Sequence, residues 1–267
     1  MPSTFVIGFP KSGNTWLVRM IARALNIHVE AFPTPDKTRD PAADVNAEID
    51  TNDDDLVYKL HYTPEDFTKV YGSPDEARFV YLKRDPLDVM VSGFFYFCYS
   101  GDERFALARP GFRSLINPRF LLAHLRIRRK FNSWVETFCK KGVSVFGTCP
   151  AHVRRWEAFF DSHSDLRVAY TTYEDMQENT IGELDRILTS ITGAKSNLER
   201  IAVAVGAEEF SKRKTSIEKG GEEITYGKEY NLKFLRAGKI GDSARFVTKK
   251  QRDMLFSMAS ESNSDHG

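Results

Sequence analysis

The first 27 residues contain the feature that most limits how this chain can fold. A short apolar segment, STFVIGF (3–9), is interpreted as a buried strand, and it runs into a glycine-rich loop. Apolar residues then recur with helical spacing over residues 14–27. A strand, a glycine loop and a helix in this order are typical of a parallel sheet in which backbone N–H groups and a helix N-terminus face an anion.

Predicted strands and helices alternate along the rest of the chain. This alternation predicts an α/β fold: a single domain over residues 1–258, with a central parallel β-sheet flanked by helices and a P-loop-like binding loop. Residues 101–130 interrupt the pattern with seven Arg and one Lys and are interpreted as a lid or insert, and the polar residues 259–267 as a flexible tail. The predicted strands are 53–62, 77–85 and 165–176, the last running into a loop, and the predicted helices are 86–97, 132–138, 151–163, 181–192 and 197–214.

The composition excludes some classes of protein. The chain has 267 residues, 41% of them hydrophobic, and a net charge of +1 from 38 basic and 37 acidic residues. This balance predicts a globular protein without a bulk electrostatic attraction to nucleic acid. No segment has the length of a membrane span or the pattern of a signal peptide, and the three cysteines, Cys98, Cys139 and Cys149, are interpreted as free thiols. We therefore expect a cytoplasmic protein without integral membrane association.

The loop GFPKSGNTW (8–16) almost matches the phosphate-binding loop of nucleoside triphosphatases. The Lys that those loops carry after the second glycine is missing, since Asn14 follows Gly13, and Lys11 lies inside the loop instead. Backbone N–H groups, the following helix N-terminus and the hydroxyls of Ser12 and Thr15 can still hold a phosphate. A tight turn without any ligand is the alternative interpretation.

Two other segments place candidate residues at predicted strand ends. Arg84 ends one strand, and Ser92 lies about two turns into the helix that follows, so both are candidates to contact a second phosphate. Lys59 and His61 are two residues apart on another strand and share one face, where a near-neutral imidazole suits general-base work. The alternatives are a surface ion pair for Arg84 and a structural role for His61.

These segments together resemble the soluble sulfotransferases that use 3′-phosphoadenosine 5′-phosphosulfate (PAPS). PKSGNTW (10–16) is similar to the family's PKSGTTW loop, and RDPLDVMVS (84–92) keeps its Arg and the Ser eight residues later. KLH (59–61) resembles the family's Lys-Thr-His, and YEDM (173–176) matches a further segment. FLRAGKIGD (234–242), by itself a weak anion-binding signal, is similar to the family's FxRKGxxGDW element. The five segments occur in the family's order over nearly the whole chain.

The resemblance implies a reaction and a role for each matched residue. The enzyme would move a sulfuryl group from PAPS to a hydroxyl, less readily an amine, of a small-molecule acceptor. It would release adenosine 3′,5′-bisphosphate (PAP) and need no metal. His61 would be the general base, with Lys11 and Lys59 stabilising the transition state. The implied donor-binding residues are Lys11, Ser12, Gly13, Asn14, Thr15 and Trp16 in the loop, and Arg84, Ser92, Tyr173, Arg236, Ala237 and Gly238 elsewhere.

The sequence departs from the family pattern at several positions. Asn14 replaces a Thr but keeps a hydrogen-bonding side chain, and Leu60 replaces the Thr of Lys-Thr-His. Asp85 replaces an Asn, which an N-cap role explains. Ala237 replaces a Lys, which removes one expected contact to the 3′-phosphate, and Ser243 replaces the Trp of GDW.

Two other functions stay open, and so does the acceptor. A P-loop kinase or NTPase needs a Lys after Gly13 and an acidic magnesium ligand after an apolar strand, which Asp85 matches poorly. A non-catalytic module could use residues 101–130 to bind an anionic glycan or lipid, although an amphipathic helix is favoured there. The aromatic residues of 94–99 fit a phenol or steroid pocket and core packing equally well. The basic segment would instead favour an anionic or sugar-containing acceptor.

Overall fold

The computed structural model describes residues 3–31, 56–98, 118–209, 211–213, 215 and 238–261. The chain divides into two compact units, each assembled from two separate stretches. The first unit comprises Met1–Arg84 with His152–Leu232, and the second comprises Asp85–Ala151 with Lys233–Gly267. Each unit is described below by itself.

A parallel five-stranded sheet forms the centre of the first unit. The strand order is β2-β3-β1-β4-β5, and every neighbouring pair runs parallel. The predicted α/β class with a central parallel sheet is therefore confirmed. In chain order the strands are β1 Thr4–Ile7, β2 His28–Ala31, β3 Leu56–Leu60, β4 Arg78–Lys83 and β5 Arg167–Thr172.

Three details of the strands differ from the prediction. Strand β2 has no counterpart among the predicted strands, and β3 ends at Leu60, so His61 follows the strand rather than lying on it. The segment after β5 is a helix rather than a loop. The reason is that the Thr172 hydroxyl accepts a hydrogen bond from the backbone N–H of Asp175 at 3.0 Å and so caps the helix that starts at Tyr173.

Helices cover the sheet and make up most of the second unit. In the first unit they are α1 Asn14–Leu25, α2 Pro64–Tyr71, the part of α5 (Cys149–Asp161) from His152 onward, α6 Tyr173–Glu178, α7 Thr180–Thr192 and α8 Leu198–Ala207. In the second unit they are α3 Pro86–Gly93 with a π-helical turn at Phe94–Cys98, α4 Pro118–Lys140, the start of α5, 3-10 turns at Ser144–Phe146 and Asp242–Arg245, and α9 Lys249–Glu261. Among the described helices, none combines the length and the apolar character needed to cross a lipid bilayer.

The two faces of the sheet bury different kinds of side chain. Val6 belongs to an aliphatic cluster that includes residues of α1, α7 and α8. On the opposite face Phe5 stacks on Tyr58 and Phe79, with ring centroids 5.1 and 5.6 Å apart. The fully buried Trp156 of α5 completes this aromatic layer. Burial on both faces explains why the strands are apolar almost throughout.

In the second unit, the start of α3 follows the sequence rules for a helix N-terminus. The Asp85 carboxylate accepts hydrogen bonds from the backbone N–H groups of Leu87 at 2.7 Å and Asp88 at 3.2 Å, with Pro86 at the first helical position. The N-cap role predicted for Asp85 is confirmed.

The π-helical turn after α3 holds several of the residues considered for an aromatic pocket. Phe94 is fully buried against Phe131, and Phe95 packs against Phe246. Both are therefore core residues of the second unit, whereas Phe97 is exposed. Tyr99 lies outside the described residues.

Two predicted segments are described only in part. Of the insert 101–130, residues 101–117 lie outside the described residues, and the remainder forms the first part of α4. Of the predicted tail 259–267, residues 259–261 belong to α9, and the rest lies outside the described residues.

Glu208 is a buried carboxylate that connects α1 to the end of α8. Its oxygens accept hydrogen bonds from Arg19 Nε at 2.9 Å and Arg23 Nε at 2.8 Å, and Arg213 Nε lies 3.4 Å away. Burial raises the pKa of this carboxyl, but the hydrogen bonds and charges of the arginines outweigh burial, so its pKa lies below the usual value. The cluster is therefore an ion-pair network whose carboxylate is almost inaccessible to water.

We expect Glu208→Gln to lower the free energy of unfolding by about 3 kcal/mol, because it leaves the guanidinium groups of Arg19 and Arg213, whose side chains are only 17% and 8% exposed, without their buried counter-charge. The matched control is Glu209→Gln, since Glu209 is the neighbouring residue but exposed. The control should change the free energy by less than about 0.5 kcal/mol. Urea unfolding of both variants, followed by circular dichroism, measures the difference. Equal losses in the two variants would contradict this account.

Candidate functional site

The candidate residues of the first unit follow the carboxyl ends of four neighbouring strands. His61 follows β3, the loop 8–16 follows β1, Arg84 follows β4, and Tyr173 follows β5. Because these strands are adjacent and parallel, their ends lie along one edge of the sheet. The three strand spacings amount to about 14 Å. The edge is therefore wide enough for a ligand with two separate charged ends.

The carbonyl oxygen of Gly8 accepts hydrogen bonds from two side chains. His61 Nδ1 lies 2.7 Å from it and Asn14 Nδ2 lies 2.9 Å from it. Since a carbonyl oxygen can only accept, the His61 Nδ1 carries a proton, and in the neutral ring Nε2 is then the proton-accepting nitrogen. Gly8 itself has no room for a side chain, because a Cβ would lie 2.5 Å from the carbonyl oxygen of Leu82.

His61 is a neutral histidine whose basicity is strongly reduced. Burial, first of all, and then the charge of Lys59 lower its pKa to about 3. His152 and Lys11 act in the same direction, and the hydrogen bond to Gly8 raises the pKa only in part. Of the three residues predicted to be catalytic, Lys11 and Lys59 therefore both influence His61 electrostatically.

Asn14 is turned toward the protein interior. Its side chain is 2% exposed, and Nδ2 lies 3.5 Å from the carbonyl oxygen of Leu60 as well as near that of Gly8, so it connects the ends of β1 and β3. The side chain of Ser12 is also buried. The backbone N–H of Asn14 belongs to the first turn of α1, where amides have no partner within the helix. A ligand at the edge would therefore meet the main chain of Asn14.

Arg84, Tyr173, Trp16 and Lys11 form a second group at the same edge. Arg84 Nη1 donates a hydrogen bond to the carbonyl oxygen of Lys11 at 3.1 Å, and the guanidinium lies 4.0 Å from the centre of the Tyr173 ring. Tyr173 meets Trp16 edge to face, with centroids 5.8 Å apart. Lys11 has φ 76°, a left-handed conformation that costs a non-glycine residue on the order of 1 kcal/mol. The structure thus brings together four residues that were predicted to contact the donor.

Gly13 is required by this arrangement for two reasons. Its φ of 109° lies in the region that L-amino acids rarely adopt, and a Cβ would lie 2.7 Å from the Tyr173 ring. The loop can therefore approach Tyr173 only because residue 13 lacks a side chain.

The second unit contains the remaining described candidates. Ser92 is half-buried in α3, and Gly238 has φ 60°. The buried Asp88 of α3 accepts hydrogen bonds from the backbone N–H groups of Gly241 at 2.7 Å and Ser243 at 2.9 Å, which ties the glycine loop of FLRAGKIGD to α3. Sequence reasoning missed Asp88, although a charged residue among the apolar residues of a helix is a usable signal. Arg236 and Ala237 lie outside the described residues.

Sequence reasoning also missed two donors on α5. His152 Nε2 lies 2.9 Å from the carbonyl oxygen of His61, and Trp156 Nε1 donates a hydrogen bond to the carbonyl oxygen of Tyr62 at 2.9 Å. The signal was present in HVRRW (152–156), whose spacing places both rings on one helical face.

Within the described residues, no group of three or more His, Cys, Asp or Glu side chains is arranged to hold a metal ion.

Known proteins with similar sequences are sulfotransferases. A family model of the sulfotransferase domain matches residues 1–262. Sulfotransferase 2B1 of Homo sapiens is 26% identical over 220 residues, which cover 79% of this chain and 52% of that protein. The match thus spans about half the length of that relative. The 3-beta-hydroxysteroid sulfotransferase of Cavia porcellus is 23% identical over 263 residues, covering 94% of this chain and 79% of that protein.

A solved structure shows the same fold. Mouse sulfotransferase SULT7A1 complexed with PAP superposes with a TM-score of 0.69 at 22% identity, covering 99% of this chain and 86% of that chain. At this identity the likeness establishes a shared fold, and the residues of the site have to be argued from their own geometry.

We expect the rings of His61 and His152 to stay neutral down to pH 5, because burial lowers their pKa values to about 3 and about 4. A histidine of the unfolded chain has a pKa of about 6.5, so between these values the unfolded chain binds more protons and stability falls as the pH falls. Histidine NMR titration measures the rings, and urea unfolding at pH 7 and pH 5 measures the stability. Rings that titrate near pH 6.5 would contradict the expectation.

The variant Lys59→Met separates the effect of charge from that of burial. Removing the ammonium should raise the pKa of His61, because Lys59 is the largest electrostatic cause of its depression. The pKa of His152 should stay unchanged, since it is burial that mainly lowers this pKa and Lys59 does not contribute to the lowering. The same NMR titration reports both rings. A His61 pKa unaltered in Lys59→Met would show that the charge of Lys59 does not contribute to its depression.

Proposed function

The chain belongs to the sulfotransferase domain family, and we propose that it transfers a sulfuryl group from PAPS to a hydroxyl, less readily an amine, of a small-molecule acceptor. The observation that carries this proposal is the neutral His61 at the edge of the sheet, whose Nδ1 donates to the Gly8 carbonyl at 2.7 Å and whose pKa is lowered in part by the charges of Lys59 and Lys11. The PAP bound to mouse sulfotransferase SULT7A1, which has the same fold, supports PAPS as the donor.

Two groups of residues are proposed to hold the two charged ends of the donor. The amides of the loop, the N-terminus of α1 and Lys11 would hold the 5′-phosphosulfate. Arg84 would hold the 3′-phosphate, and Trp16 and Tyr173 would flank the adenine. Ser92, Arg236 and Gly238 stay expected contacts of the same phosphate. The site would use the charge of its lysines and arginines in place of a metal ion.

The low pKa of His61 is compatible with a base only after the donor binds. Part of the depression comes from the charges of Lys59 and Lys11. An anionic donor beside these lysines offsets their charge and raises the pKa of His61 toward the range useful for a general base. Nε2 then takes the acceptor's proton as its oxygen attacks sulfur. Lys11 stabilises the charge that grows on the departing phosphate oxygen.

The kinase alternative is disfavoured by the residue after Gly13. A P-loop kinase places a lysine there that reaches the β- and γ-phosphates. Here Asn14 occupies that position, and its side chain is buried and bonded to the Gly8 carbonyl. The residue cannot supply a charge to a triphosphate.

The acceptor and the location are proposed from two separate observations. A 3β-hydroxysteroid is the first acceptor to test, because the relative from Cavia porcellus carries that substrate in its name. We propose the cytoplasm as the location, because Cys98, Cys139 and Cys149 are all free thiols. Burial raises the pKa of Cys139 to about 11 and that of Cys149, which Asp85 also influences, to about 12, so both stay protonated.

Donor binding is tested with PAP by isothermal titration calorimetry. We expect PAP to bind the wild-type protein and ATP with magnesium to bind far more weakly. Gly13→Ala should weaken PAP binding at least about tenfold, because its Cβ would collide with the Tyr173 ring. Gly206→Ala is the matched control, since its Cβ would meet open space. A wild-type protein that does not bind PAP would refute the proposed function.

Catalysis is tested with PAPS carrying a labelled sulfuryl group and a panel of hydroxyl acceptors. With an acceptor that becomes labelled, His61→Ala should lower turnover about a hundredfold or more while PAP binding is retained. His28→Ala is the control, since His28 is an exposed residue at the start of β2. Wild-type turnover in His61→Ala would remove His61 from the role of base.

A further inference from the structure

The link between β3 and α2 depends on donors from another part of the chain. β3 ends at Leu60 and Thr63 is the N-cap of α2, so residues 61 and 62 belong to neither element. Buried carbonyl groups in such a link need hydrogen-bond donors from elsewhere. Helix α5 provides two of them, His152 to the carbonyl of His61 and Trp156 to the carbonyl of Tyr62.

The hydrogen bonds around His152 have a defined direction. Since the carbonyl oxygen of His61 can only accept, Nε2 of His152 carries the proton. Nδ1 of the neutral ring is then an acceptor, and the Tyr81 hydroxyl lies 2.9 Å from it and donates. Burial, the main cause, lowers the pKa of His152 to about 4 and keeps the ring neutral. Tyr81 and His152 are both only 1% exposed, so water does not compete for these bonds.

His61 is therefore held at two places. Its ring donates from Nδ1 to the carbonyl of Gly8 at 2.7 Å, and its own carbonyl accepts from His152 at 2.9 Å. The first contact sets the orientation of the ring, and the second sets the position of the main chain that carries it. A catalytic group displaced by about 1 Å can lose on the order of a hundredfold in rate.

We propose that His152, oriented by the Tyr81 hydroxyl, is a positioning residue that sets the place of His61 Nε2 by holding the main chain of residue 61. The inference rests on the proposed role of His61 as the general base. His152 itself does not touch the substrate in this account. A purely structural role for His152 would instead lower the stability of the protein and leave the turnover of the folded enzyme unchanged.

The experiment compares two substitutions at position 152. His152→Phe keeps a ring but has no donor, whereas His152→Gln keeps an amide N–H that can replace Nε2. We expect His152→Phe to lower kcat about tenfold, with the KM of the acceptor and the affinity for PAP unchanged, and we expect His152→Gln to restore most of the loss. The assay uses labelled PAPS and an acceptor that becomes labelled in the panel assay described under the proposed function. Circular dichroism confirms that both variants are folded.

Tyr81→Phe tests the second half of the chain of hydrogen bonds. It removes only the hydroxyl that orients the His152 ring, and we expect kcat to fall about threefold to tenfold. Tyr170→Phe is the matched control, because Tyr170 pairs with Tyr81 in the neighbouring strand and is 40% exposed. Its kcat should equal that of the wild type. If His152→Phe fails to fold, Tyr81→Phe against Tyr170→Phe decides the question.

Three results would overturn the inference. A folded His152→Phe with wild-type kcat would show that the main chain does not need this donor, and a His152→Gln as impaired as His152→Phe would show that the donor is not what matters. In a His61→Ala background, His152→Phe should cause no additional loss, and an additional loss would show that His152 acts elsewhere. Failure of the proposed base is recognised separately, because His61→Ala alone would then retain its turnover.

Discussion

The parallel register of four adjacent strands is the constraint on which the rest of this structure depends. Strands β3, β1, β4 and β5 all end along one edge, so residues far apart in the chain lie along that edge. The Gly8 carbonyl lies between the ends of β1 and β3 and accepts from both His61 and Asn14. The loop amides and the α1 N-terminus can face an anion only because this carbonyl and its partners hold the loop in place.

Under the proposed mechanism, the charges at this edge would both bind the donor and regulate the basicity of His61. Lys11 and Lys59 suit the binding of an anionic donor, and in its absence they help to suppress the basicity of His61. The same two charges therefore link donor binding to activation of the base under the proposed mechanism. In the second group of residues, Arg84 is also held by its neighbours. Its guanidinium lies over the Tyr173 ring and donates a hydrogen bond to the Lys11 carbonyl. These two contacts fix the orientation of the Arg84 guanidinium.

Much of this organisation could be predicted from local patterns. The glycine loop after β1, the capping of α3 by Asp85 and the alternation of strands and helices follow from backbone rules that act within a few residues. Strand β2 could not be predicted, because HVEA has little apolar character and, among the described strands, pairs only with β3. The helix at Tyr173 was missed because its cap, Thr172, is itself the last residue of β5, and a loop is the more common continuation of a strand.

Local sequence was sufficient to single out the glycine loop, the candidate base and the segments expected to bind the donor as predictions, since each depends on residue type and close spacing. Only the tertiary structure assigned partners to the buried polar groups. Asn14 reaches the end of β3, 46 residues along the chain, and His152 reaches the carbonyl of His61, 91 residues away. The physical reason is that a buried polar atom must find its complement wherever packing places one, and no short-range pattern specifies which distant residue that will be.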